Sequence, residues 1–399
     1  MMDTKYDILI LGGGPSGLST ALHLTKIAPH LSTRILILEK EHYPRLKLCA
    51  GGLVIDAEII LERLGLDVRE VPHVDAPNIR FDFAGKGLTV RMAKRHAIRV
   101  IRRDEFDHWL ARKAESRGIE IREGVTVKKV IPDENGVTVQ TDQGEFRAEI
   151  VVGADGSNGV TRRSIFPNEP VYTARVLEVI TPNYSVKEIA SGREKHAEQE
   201  RPRNDAAYFD FFPVPDNIAG YTWDFPTQVN GKPMRCWGVY DTNLLAEQKR
   251  PALKEPLAEE MKRHGFDLND YEIKGHPIRW YSPWNKMSAP RVLLVGDAVG
   301  ADPIFGEGIS MALGYGVIAA QEIAESYQRG EFSFSRFKRR FVRSGLGQTL
   351  LVRWLITQVI YTLKWKWFQI LLWRMLKPIV LIFAWVFVLN WSKRIPLRN

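Results

Sequence analysis

The chain has 399 residues, 45% hydrophobic and 26% charged, an ordinary globular usage that buries a large core in two or three domains. Its net charge of +9 belongs to the tail alone: residues 332–399 hold 13 Lys and Arg and no Asp or Glu, while the first 331 residues hold 43 basic groups against 47 acidic. Six of the eleven Trp (354, 365, 367, 373, 385 and 391) share that tail, which excludes nucleic acid as the natural partner and favours a membrane surface with anionic lipids.

Two cysteines, Cys49 and Cys236, give neither a disulfide framework nor a metal-ligand cluster, so no metal is expected and the chain reads as residing in a reducing compartment. The N-terminus runs into a strand without a basic region, apolar stretch and small-residue cleavage site, so export is not expected.

Tyr6 to Leu11 is a short apolar strand, and Gly12, Gly14 and Gly17 follow at GxGxxG spacing, with Pro15 and Ser16 opening a helix expected to Ile27. Glycine there permits a tight turn, close approach of a pyrophosphate to backbone amides, and close helix-on-strand packing. The helix start adds partial positive charge for the phosphates. A second strand, RILILEK, ends in Glu39 and Lys40, 22 residues past Gly17, where the Glu39 carboxylate can accept from ribose hydroxyls.

Further along come YPRLKLCAGGL (43–53), IRRDEFDHWL (101–110) and IVVGADGSNGVTRR (150–163), the last placing Asp155 and Gly156 at the end of an apolar strand. The stretch Ala190–Asp205 is charged and aperiodic and reads as an exposed or mobile loop. YFDFFPVPDNIAGYTW begins at Tyr208, and RVLLVGDAVGADPIFGEGISMAL (291–313) places Gly296 and Asp297 at another strand end.

Together these motifs resemble the FAD-dependent oxidoreductases of the aromatic-hydroxylase and geranylgeranyl reductase superfamily over about Tyr6 to Ala324. The resemblance implies FAD as cofactor, with Asp155 and Gly156 in its DG motif and Gly296 and Asp297 in its GD motif. Asp297 would hydrogen-bond the ribityl chain, Gly306, Gly308 and Ile309 would open a helix aimed at the flavin, and Arg103 would contact FAD. The form GDAxGxxPxxGEGI favours geranylgeranyl reductases over hydroxylases. Pro44, Lys47, Cys49 and Gly51-Gly52 match that family's Pro-x-x-Lys-x-Cys-Gly-Gly segment, with Ala50 inserted.

Cys49 reads either as a small buried hydrophobe or as a group that helps deliver a proton, its pKa lowered by Lys47. Cys236 reads as core. Tyr208, Phe212, Pro213 and Gly220 match the family's aromatic substrate element, while Asp210 and Thr222 depart from it. That stretch suits either an isoprenoid tunnel or an ordinary aromatic sheet core.

The expected fold is α/β: a Rossmann-type FAD domain (1–70, 100–165 and 285–335), an inserted antiparallel substrate domain (71–99 and 166–284), and a helical membrane-associating tail (336–399). No second GxGxxG has strand context, so NADPH would dock transiently or a ferredoxin-like carrier would supply electrons. Ile379–Leu389 is 11 consecutive apolar residues, below the roughly 20 that span a bilayer. Thr349–Leu376 mixes Leu, Ile and Trp with basic residues in a helical pattern suited to lying in the interface, with core packing and a true span as alternatives. The expected activity is saturation of polyprenyl C=C bonds on a lipid, quinone or pigment at the cytoplasmic face of a membrane. A flavin monooxygenase and a non-catalytic prenyl-lipid carrier are the competing readings.

Overall fold

The computed structural model describes residues 6–83, 86–92, 95–184, 205–244, 251–383, 385 and 389–395. The charged stretch 190–205, apart from Asp205, lies outside them, as do residues 384 and 386–388 of the apolar run.

A six-stranded sheet has the order Ser288–Ala289, Val292–Leu294, Ile150–Gly153, Ile8–Leu11, Ile35–Leu38, Glu120–Arg122. Its neighbours run parallel except for the short edge strand Ser288–Ala289. The inner strands are buried along their whole length, which is why they are written as unbroken apolar runs and not as alternating ones. The helix Pro15–Ile27 follows the first strand, and the long helix Ile309–Arg329 packs against it. Small residues set their separation. A Cβ added to Gly316 would meet Ser19 Oγ at 2.5 Å, and the Ser19 hydroxyl donates to the Leu313 carbonyl at 2.7 Å.

The second large sheet has seven strands in the order Lys274–Arg279, Thr173–Pro182, Lys232–Asp241, Gly220–Val229, Ala206–Asp210, Asn78–Phe83, Lys86–Arg91. It corrects the antiparallel expectation at one place, because Ala206–Asp210 runs parallel to Asn78–Phe83. Those two strands are separated by more than 120 residues, so no hairpin imposes the antiparallel sense. Along each strand the side chains alternate. Tyr221, Trp223 and Phe225 face a cavity, and Asp224 on the other face pairs with buried Arg235 at 2.7 Å beneath the helix Lys254–Arg263.

The basic tail departs from the single interfacial helix expected over Thr349–Leu376. A helix Gly345–Thr362, capped by Ser344 Oγ accepting from Gly347 N at 3.1 Å, is followed by Lys366–Ile370, a wide turn Leu371–Met375 and Lys377–Phe383. Much of it packs on the protein. Trp373 is buried and stacks on Phe211 with ring centroids 4.0 Å apart. Trp391 is buried against Gly314 of the long helix, and Asp56 accepts from Asn390 N and Ser392 N at 3.0 and 2.7 Å. Trp365, Trp367, Met375, Ile379 and Ile382 remain more than half exposed. Among the described residues no helix is long and apolar enough to cross a membrane.

Candidate active site

The turn after the first strand forms a cradle. Gly12 has φ +109°, and a Cβ there would meet the Ala154 carbonyl at 2.4 Å; one on Gly17 would meet the Gly12 carbonyl at 2.1 Å. Both glycines are therefore required by close approach of chain to chain. Gly14 differs: a Cβ there would meet only Arg45 Nη2, at 3.5 Å, so the space in front of the helix start is open. Glu39 is buried, and its Oε2 accepts from Gly13 N at 2.7 Å. Arg45 stands beside it with Nη2 3.0 Å from Asp107, and Arg103 makes two hydrogen bonds to the same carboxylate at 2.8 and 2.7 Å.

The far end of the cradle is built by the turn before the long helix. Asp297 Oδ1 lies 3.7 Å from the position of a Cβ on Gly308, and among the described residues nothing else comes within 4 Å of that position. Three tyrosine hydroxyls hold the turn: Tyr240 donates to the Pro303 carbonyl at 3.0 Å, Tyr361 to Ile304 at 2.7 Å, and Tyr221 to Phe305. Behind it sits a buried ion triad. Arg353, from the tail, donates to Asp302 Oδ2 at 2.6 Å and to Glu307 Oε2 at 2.7 Å. Burial, opposed by Arg353 and helped by Asp302, raises the Glu307 carboxyl to about 7.

From this turn a cavity of about 560 Å³ runs across the seven-stranded sheet. Phe81, Phe209, Tyr221, Trp223 and Phe225 floor it, and Ile356, Leu372 and Trp373 of the tail roof it. Cys49 lies in its wall, accepting from Gly51 N at 3.3 Å. Burial raises the Cys49 thiol above its ordinary value, and Arg103, Gly51 and Lys47 do not offset that. Lys47 does lower it as expected, but desolvation outweighs the ammonium charge and the thiol is raised on balance.

The family model for the FAD binding domain matches residues 5–333. The chain belongs to that family. Digeranylgeranylglycerophospholipid reductase 1 of Methanopyrus kandleri is 27% identical over 356 residues, 84% of each chain. A geranylgeranyl bacteriochlorophyll reductase-like protein of Thermoplasma acidophilum superposes with a TM-score of 0.73 at 22% identity, covering 91% of this chain and 89% of that one, which establishes the shared fold. The rifampicin monooxygenase of Streptomyces venezuelae is 31% identical over 193 residues, 47% of this chain and 40% of its own. Within FAD-dependent oxidoreductases the chain is thus geranylgeranyl-reductase-like.

The residues present fit FAD. The open positions at Gly14 and Gly308 are cradles that a Cβ would fill, and Asp155 presents a buried Oδ1 with no hydrogen-bond partner among the described residues while its Oδ2 accepts from Thr161 N and Oγ1 at 2.8 and 2.9 Å. Gly12, Gly14, Pro15, Ser16, Gly17 and Glu39 lie together at one end of the FAD cradle. Gly296, with φ +60° and Ser16 Oγ 2.6 Å from where its Cβ would be, joins that end to Asp297, Gly308 and Ile309. Gly306, with φ +63°, abuts the Tyr240 ring. Gly156 has φ +79° and open space around it. Lys40 is exposed beside Glu41.

The substrate element is placed differently from expectation. Tyr208, Phe212, Pro213, Gly220 and Lys47 are not in the cavity lining; Phe209 and Tyr221, one residue away, are. The strand alternates, and the match picked the wrong face. Asp210 faces away as well, its Oδ1 accepting from Phe212 N at 3.0 Å. The sequence reading also missed Arg45, Arg353, Glu178 and His276. Glu178 had left a signal, a lone acid inside the apolar strand RVLEVIT.

Proposed function

We propose that the protein is an FAD-dependent reductase that saturates C=C bonds of a polyprenyl chain carried by a membrane lipid, quinone or pigment. The observation that carries this reading is the long aromatic and aliphatic cavity that opens from the Gly306–Ile309 turn, beside the place the residues reserve for the flavin ring. Such a wall binds an isoprenoid without polar partners, each buried methylene contributing about 0.8 kcal/mol. The resemblance to digeranylgeranylglycerophospholipid reductases points the same way.

When bound, FAD supplies the hydride. The chain's own residues bind, orient and exclude water. The backbone amides of Gly14, Ser16 and Gly17 at the helix start would face the pyrophosphate, Glu39 would face the ribose, and Asp297 the ribityl chain. Arg45 and Arg103 bring positive charge to the same cradle. The first amides of the helix Ile309–Arg329 would favour negative charge on the reduced ring. The aromatic floor and the tail roof keep the alkene dry, which matters because an isolated alkene accepts hydride poorly and depends on close placement.

The tail carries the membrane part of the reading. Its exposed Trp365, Trp367, Ile379 and Ile382, alongside basic side chains, suit docking onto an anionic leaflet at the cytoplasmic face, with the cavity roof next to the lipid source. Lipid mass spectrometry of cells with and without the protein tests the whole. Loss of species heavier by multiples of two hydrogens supports the reductase; loss of species differing by one oxygen supports a monooxygenase instead and sinks it.

A further inference from the structure

Besides Glu307 and Arg353 at the flavin turn and Arg95 and His96, the cavity wall carries Glu178, His276 and Cys49. Strands Thr173–Pro182 and Lys274–Arg279 pair with Val176 opposite His276 and Glu178 opposite Lys274. Val176, Glu178, His276 and Ile278 all line the cavity. Glu178 is 5% exposed, and its Oε2 has no hydrogen-bond partner among the described residues. His276, one pleat along the neighbouring strand, is half-buried, and its Nδ1 has no partner among the described residues. Cys49 lines the same cavity, near enough for the Glu178 charge to act on its thiol. A buried carboxyl and a half-buried imidazole facing a largely apolar stretch of wall, each with an unsatisfied polar atom among the described residues, are costly to the fold unless something in that space uses them.

We propose that Glu178 is the acid of this site, giving its proton to the alkene carbon that does not receive hydride, with His276 linking it to solvent. The proposal rests on the reductase reading above. The balance is simple. As the carboxyl O–H bond breaks, the alkene π pair forms the new C–H bond, and hydride from reduced FAD forms the second C–H bond on the adjacent carbon. The alkene gains two hydrogens, the flavin loses two electrons, and the carboxylate left on Glu178 regains a proton from water by way of His276.

The surroundings suit that role. Burial pushes Glu178 up to about 7, against the pull of Arg102 at the start of the helix Arg103–Glu115 and of Lys274 on the neighbouring strand. An acid so poised is both available and strong enough near neutral pH. Burial, with Lys47 and Arg103, holds His276 down at about 4, so its imidazole is neutral and can pass a proton either way. The two thiols that face Glu178, Cys49 and Cys236, are both raised by burial and are weaker acids.

The test uses the full-length, FAD-loaded protein and the variants Glu178→Gln and Glu178→Asp, with two readouts. The first is independent of turnover: the pH dependence of Cys49 alkylation by iodoacetamide, followed by peptide mass spectrometry. Glu178→Gln is expected to lower its midpoint, because the neighbouring negative charge is gone; an unchanged midpoint overturns the geometry. The second is single-turnover reduction of geranylgeraniol in micelles by dithionite-reduced protein. Glu178→Gln is expected to slow it about 100-fold and to abolish the fall in rate above about pH 7, with flavin reduction and lipid affinity unchanged, and Glu178→Asp to restore part of the rate. A Glu178→Gln rate within threefold of an active parent overturns the acid role alone. A parent that never saturates the chain sinks the reductase reading and the acid role together.

Discussion

Arg353→Met removes the cation of the buried triad and nearly keeps its volume. In the parent the Arg353 side chain is 1% exposed and that of Asp302 0%, and the guanidinium meets Asp302 and Glu307 at 2.6 and 2.7 Å. Taking away one partner of such a pair leaves buried carboxylates uncompensated and costs about 3–5 kcal/mol. The loss is expected to depend on pH. Glu307 already sits near 7, above its ordinary value, because burial and Asp302 outweigh Arg353. Its folded-state contribution is therefore present at low pH and fades as pH rises through about 7. Without Arg353 the carboxyl moves higher still, so the variant falls further behind the parent at pH 8 than at pH 5, where proton uptake relieves the repulsion. Urea unfolding of the FAD-loaded protein, followed by near-ultraviolet circular dichroism at both pH values, measures the gap. Adding Glu307→Gln should recover part of it. A loss under about 1 kcal/mol at pH 8, or a gap that does not change with pH, refutes the triad as the clamp between tail and flavin turn.

Gly14→Ala should fold with apo-protein stability within about 0.5 kcal/mol of the parent, since its Cβ meets only Arg45 at 3.5 Å, yet retain FAD at least about tenfold less tightly, or about 1.4 kcal/mol, in flavin-release fluorescence. Glu178→Gln should flatten one step of the stability profile: burial raises this carboxyl from 4.5 to about 7, so the parent loses up to about 3 kcal/mol as pH rises across that window, and the variant does not. Urea midpoints at pH 4.5, 6 and 8 read the difference. Trp365→Ser with Trp367→Ser, at two exposed positions, should leave the unfolding midpoint within experimental scatter and lower co-sedimentation with phosphatidylserine vesicles several-fold; unchanged binding removes these residues from the docking surface.

The cradle was legible in the sequence because it is local. A strand, three glycines, a helix start and an acid at the next strand end lie within about 30 residues, and the positive φ at Gly12 with the close approaches at Gly12 and Gly17 leave no other residue type possible. The flavin turn was legible by resemblance, although the three tyrosines that hold it come from strands and a helix far away in the chain. The substrate wall failed at the level of phase. In a strand one step moves a side chain through the sheet, so a motif match at Tyr208 and Gly220 named the face that packs under the helix Lys254–Arg263, while Phe209 and Tyr221 face the cavity.

The tail shows a different limit. Its basic and Trp-rich composition cannot say which residues face protein: Trp373 and Arg353 look like membrane residues in the chain and are buried in the fold, whereas Trp365 and Trp367 are exposed. Arg353 is decided by two carboxylates about 50 residues upstream, a pairing with no periodic signature. The same holds for Glu178. A lone acid in an apolar strand either turns outward or enters a site, and only the pairing of that strand with Lys274–Arg279 puts it into the cavity wall with His276. Where burial makes a charged side chain costly, its persistence in the wall of an apolar cavity is itself an argument that the cavity's chemistry requires it.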